Sequence, residues 1–143
     1  MKQTTAAALA ALTLGVIGPL AAAGELADAA VAKELGVSGV THKTTTRTWH
    51  GKTYTDVAYK DGRGGDLFAL RLGTADQYSL WKHAMGTVST PVTGVGDEAF
   101  QVKNFRAICA RSASSAVCVT PSFVNKNLTI TDQQIQALVS AAL

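Results

Sequence analysis

Cys109 and Cys118 are the two cysteines of this chain, and the short polar stretch Ser112-Ala113-Ser114-Ser115 lies between them. Phe105 to Arg111 and Ala116 to Thr120 on either side read as strands, and the stretch between them as a tight connection. A hairpin centred between Ala113 and Ser114 sets Cys109 directly opposite Cys118. With a two-residue loop the pair falls at a non-hydrogen-bonded site, where Cα atoms approach most closely, while a four-residue loop changes that class. A bond there closes a ring of about ten residues and contributes roughly 2 to 3 kcal/mol on the chain-entropy model. Ile108, Ala110, Val117 and Val119 then face the helices, and the cysteines lie on the wetter face. The redox alternative is poorer, because the spacing is not C-x-x-C and no helix N-terminus is near to lower a thiol pKa.

A disulfide needs an oxidising compartment, and the first 23 residues supply the address. Lys2 gives a positive start, an apolar run extends from Ala6 to Leu20, and Ala21-Ala22-Ala23 precedes Gly24. That order is a secretory signal peptide, residues 1–23, cleaved before Gly24. Gly15, Gly18 and Pro19 interrupt the run, which is short for a spanning helix. The expected product is a single domain, residues 24–143, in the periplasm or outside the cell. Lys2 is the leader's one charge, so the formal net charge of +3 falls to about +2. That is too little to imply nucleic acid, and no later segment is apolar enough to cross a membrane.

Periodicity gives the order of elements. Leu26 to Leu35 reads as a helix with Ala27, Val31 and Leu35 on one face and Gly36 as its stop. Thr41 to Trp49 and Thr53 to Lys60 form a hairpin around His50-Gly51, and Asp61 to Gly65 is a turn into a strand from Asp66 to Leu72. Thr74-Ala75-Asp76-Gln77 has the capping-box pattern and opens a helix with Tyr78, Trp81 and Met85 on one stripe. A loop through Pro91 and Gly94 to Gly96 leads to a strand near Ala99 to Lys103, then the cysteine hairpin. Thr131 to Gln134 repeats the capping pattern before a last helix whose apolar face is Ile135, Leu138, Val139 and Ala142. The predicted class is α+β in the order α-βββ-α-βββ-α, a twisted antiparallel sheet with helices packed on one face.

Motifs for catalysis are few and stand in the wrong context. Gly94-Val95-Gly96-Asp97-Glu98-Ala99 has the letters of a dinucleotide fingerprint, but a strand follows it and two carboxylates would repel phosphate. Ser79 and Lys82 have the S-x-x-K spacing of serine acylases without the partner motifs. His42, His50 and His83 are scattered, and with two cysteines they give no metal-ligand spacing, so neither metal nor other cofactor is expected. Asp97 and Glu98 point to opposite faces of a strand, which suits a capped Gly turn better than an acid/base pair. Asn127-Leu128-Thr129 is a glycosylation sequon in letters only, since the leader looks bacterial.

One region has a local positive excess with aromatics interleaved. Lys43, Arg47, Trp49, His50, Lys52, Tyr54 and Arg63 are the candidate contact residues, centred on the hairpin from His42 to Tyr59. They suit an acidic protein, an acidic glycan or an anionic lipid surface; the alternative is a solvated outer sheet face. The turn Gly94 to Phe100 resembles the G-[LV]-G-D-E-A-[FY] turn of a family of small exported bacterial proteins of uncharacterised function, often lipoproteins. The resemblance implies an α+β envelope protein and supplies no catalytic residue. The lipid-bearing cysteine of such proteins is absent here, Ala23 standing in its place, so anchoring does not transfer. Together these readings predict an exported non-enzymatic binding protein, a class that includes protein inhibitors and accessory envelope factors. The alternatives are a structural or stress-related envelope component, a small secreted hydrolase using His50, Asp97 and Glu98, or a carrier with a cavity under Phe68 and Trp81.

Overall fold

The computed structural model describes residues 23–143; residues 1–22, which hold the predicted leader except Ala23, lie outside the described residues. Helix α1 (Asp28–Leu35) precedes three strands, β1 (Thr41–Trp49), β2 (Lys52–Lys60) and β3 (Asp66–Thr74). Helix α2 (Ala75–Ala84) and a 3-10 turn (Gly86–Val88) follow. Then come β4 (Ser89–Val92), β5 (Glu98–Val102), β6 (Ala107–Ser112), β7 (Ser115–Pro121) and α3 (Asp132–Ala142). All seven strands of the described residues form one sheet in the order β1-β2-β3-β7-β6-β5-β4, every neighbouring pair antiparallel. The fold is therefore α+β.

Local chemistry explains the boundaries. Thr74 accepts a hydrogen bond from the Gln77 amide at 3.3 Å while Gln77 Oε1 accepts from the Thr74 amide at 2.8 Å. Thr131 and Gln134 make the same reciprocal pair at 3.1 and 2.9 Å, so both capping boxes form as their sequences predict. Gly36 ends α1 in the left-handed conformation. The β1–β2 turn is His50-Gly51, both at positive φ, as a two-residue turn of type I′ requires.

Helices α1 and α3 share one face of the sheet. Val31 and Leu35 of α1 and Ile135, Leu138 and Val139 of α3 pack on Val57, Tyr59, Leu70, Ile108, Val117 and Val119. Each such side chain, taken fully out of water, contributes about 1.5–3 kcal/mol. Tyr59 keeps its hydroxyl satisfied in this core by donating to the Leu26 carbonyl (2.9 Å) and accepting from the Leu26 amide (2.7 Å). Burial pushes the Tyr59 pKa up to about 12.

Four expectations are corrected. Helix α2 does not join α1 and α3 but lies across the opposite face, where Tyr78 packs with Phe100, Val102, Ala116 and the two cysteines. The cause is local: β3 runs straight into α2, and Gly73 has no side chain, so Gln77 and Trp81 settle over it. A Cβ on Gly73 would stand 2.9 Å from the Trp81 ring. Cys109 and Cys118 consequently lie on a covered surface, at 5% and 8% exposure, not on a wet one. Finally, the segment through Pro91 forms β4, which pairs with β5, and β6 begins at Ala107 because Phe105 and Arg106 form the turn before it. Arg106 sits there at φ +53°.

The cysteines do pair as the hairpin predicts. Cys109 and Cys118 are disulfide-bonded, opposite one another across a two-residue turn, with Cα atoms 4.0 Å apart. Such a bond persists in oxidising compartments. No helix among the described residues is long and apolar enough to cross a membrane.

Candidate functional site

Because α2 covers only part of its face, the rest of that face is left as a groove of about 700 Å³. Its floor is made of small groups. Ala58 and Ala69, paired across β2 and β3, are both exposed, and Ala107, Thr120 and the disulfide continue the floor. One wall is Trp81 and Ala84 of α2 and Met85 just after it, with Phe105 at the end. The other is the groove-facing side of β1, namely Lys43, Thr45, Arg47 and Trp49. A mostly apolar concavity of this size with a few convergent charged groups is the usual form of a ligand or partner site.

The charged groups form one cluster. Asp56 accepts from Arg71 Nε at 2.9 Å and lies 3.4 Å from Arg47 Nε, and the Arg71 guanidinium stacks 4.4 Å over the Tyr54 ring. Burial works against the Arg71 charge, but its hydrogen bond and attraction to Asp56 outweigh that and raise its pKa. With Lys43 on the same wall the groove therefore carries three cations against one carboxylate.

Of the sequence-predicted contact residues, Lys43, Arg47, Trp49 and Tyr54 come together in this groove. His50 sits just outside, its ring 4.4 Å from that of Trp49, and Lys52 pairs with Trp49 at the same hairpin end. Arg63 is not part of it. Its amide donates to Asp61 in the turn after β2, where that bond and the Gly65 amide hold the Asp61 carboxyl below its ordinary pKa. Asp56, Arg71 and Phe105 were missed. The alternation of β3 had a signal for Arg71: with Phe68, Leu70 and Leu72 inward, Ala69, Arg71 and Gly73 must share the other face.

The other candidate motifs are engaged structurally. Lys82 pairs with Glu98, and the Ser79 hydroxyl donates to the Ala75 carbonyl at 3.4 Å, so the two are not a nucleophile and base. Glu98 also accepts from Arg111, and the bonds from Lys82 and Arg111 hold its carboxyl below its ordinary pKa. Asp97 accepts from the Ala113 amide at 3.0 Å and thereby caps the cysteine hairpin. His50 touches neither carboxylate. Phe68 and Trp81 lie on opposite faces of the sheet and share no cavity.

His42 is on the α1 side, where Nδ1 is 2.6 Å from Asp28 and Nε2 is 3.3 Å from Glu25. The hydrogen bond to Asp28 is the main reason its pKa is raised above 6.5. A raised histidine pKa contributes stability that is complete below about pH 6.5 and is lost as pH rises through the folded value. The His42 side chain is 28% exposed, so the effect is a few tenths of a kcal/mol to about 1 kcal/mol. Thermal melts of the wild type and His42→Gln should differ most below about pH 6.5 and converge as pH rises through the raised folded value. A constant difference would assign His42 a role independent of its charge. Comparisons with models of known protein families, with curated proteins and with solved structures each return no match.

Proposed function

We propose that this chain is an exported binding protein of the bacterial envelope or extracellular space that takes an acidic partner on the groove face. The observation that carries the reading is the groove itself, with an aromatic wall on each side, a small-residue floor and a net positive cluster. Its position adds support, since four of the contact residues expected from the sequence, Lys43, Arg47, Trp49 and Tyr54, line it. The disulfide and the predicted leader support an address outside the cytoplasm.

Ala69 provides the test. It is exposed at the centre of the floor, where phenylalanine suits a strand but fills the groove. Immobilised wild type and Ala69→Phe are exposed to an envelope and culture extract, and the captured proteins are compared by mass spectrometry. A stoichiometric partner held by the wild type and lost by Ala69→Phe supports the groove. Equal capture by both overturns it.

A further inference from the structure

The two edges of the sheet are built differently. Strand β4 is four residues long and carries Pro91, a common way of blunting an edge. Strand β1 is nine residues long, has no proline, and every residue in it is exposed. Its inner side pairs with β2 along its whole length, and no described strand pairs with its outer side. The pair Trp49 and Lys52 closes the two-residue turn, so backbone groups of His42, Thr44, Thr46 and Thr48 alternate outward.

We infer that this edge accepts an extended acidic peptide segment as an eighth strand, with acidic side chains four residues apart facing the groove. The inference rests on the groove reading above and names the partner's form. A residue on the added strand directly opposite Lys43 or Arg47 shares their face, so its side chain enters the groove. Strand β1 contains no acid, and those two cations are spaced four apart. The opposite face of the edge differs. There Thr44 bonds Glu25, and His42 bonds Asp28, so carboxylates already line it. Acids on the partner are thus favoured on the groove side and disfavoured on the other.

A second copy of the chain fits less well. Antiparallel self-pairing with full overlap of β1 sets Lys43 of one copy opposite Arg47 of the other, twice over. Like charges directly opposite one another are destabilising.

The probe is a fluorescent nine-residue peptide of threonine and valine with glutamate at its third and seventh positions. In either strand direction those positions meet Lys43 and Arg47. The control has the same composition with glutamate at the fourth and sixth positions, which meet Thr44 and Thr46. Anisotropy titration of the full chain should show saturable binding, about fivefold or more tighter for the probe than for the control. Thr46→Pro removes an outward N–H without breaking the ladder to β2 and should weaken the probe about tenfold, while Thr46→Ala should not. If Thr46→Pro does not fold, the double reversal Lys43→Glu with Arg47→Glu still decides. It should prefer a lysine version of the probe to the glutamate one.

Equal affinity for probe and control, undiminished binding by Thr46→Pro, or no saturable binding overturns the inference. So does a dimer in solution that Thr46→Pro dissolves. If the inference falls while Ala69→Phe still abolishes partner capture, the groove reading stands without it. If Ala69→Phe changes nothing, the groove reading itself has failed.

Discussion

Gly96→Ala should lower the stability of the protein by about 2–4 kcal/mol, whereas Gly94→Ala, two residues away, should cost about 1 kcal/mol. Both glycines have positive φ, +57° and +81°, so both substitutions meet the left-handed penalty. Only at Gly96 would the added methyl also collide with its neighbours. A Cβ there would press into the Arg111 carbonyl oxygen and stand 2.9 Å from the Leu143 side chain, while a Cβ on Gly94 meets nothing within 4 Å. The Arg111 carbonyl cannot retreat freely, because it accepts from the Asp97 amide at 2.8 Å, and Asp97 in turn caps the hairpin at Ala113. Chemical denaturation of the two variants measures the difference. Similar losses would mean that the turn tolerates movement and that the close approach to Arg111 is not what requires glycine at this position.

Removing the disulfide should be the second large loss. With Cys109 and Cys118 both replaced by alanine, the ring of about ten residues opens in the unfolded chain, which costs about 2–3 kcal/mol of stability. For a domain of this size that corresponds to a fall in Tm of roughly 6–15 °C. Two further consequences follow from place. The pair is buried under α2 with Tyr78 and Phe100, so the lost sulfur atoms also leave a packing defect. It also forms part of the groove floor, so partner affinity should fall with stability. Thermal melts with and without a reductant test the first effect. A reductant that leaves the wild-type Tm unchanged would contradict it.

Most of the fold was legible because its signals are local. Capping boxes at Thr74 and Thr131, the His50-Gly51 turn and the pairing of Cys109 with Cys118 each depend on residues close in sequence. The face on which α2 lies was not legible, since it depends on Gly73 leaving room for Trp81, a packing fact with no periodicity. Strand β4 was hidden by Pro91, which argues against a strand unless the strand is at an edge. The candidate site was half legible. Basic and aromatic residues of β1 and β2 stood out, but the α2 wall and the turn residue Phe105 reach the groove only through tertiary structure. The turn Gly94 to Phe100, whose letters suggested both a nucleotide site and a family likeness, serves the fold. Gly96 and Asp97 hold the hairpin, Glu98 joins Lys82 to Arg111, and Ala99 and Phe100 face the two cores.

The chain has two tryptophans, Trp49 and Trp81, and they stand on opposite walls of the groove. Their fluorescence therefore reports on the claim that this face binds the partner. The decisive measurement is a titration of the full chain with the captured partner, following tryptophan emission and acrylamide quenching beside calorimetry of the same mixture. If the groove is the site, emission shifts and quenching falls in step with the calorimetric binding curve. Stoichiometric binding by calorimetry with unchanged emission and quenching would place the partner elsewhere and contradict the account.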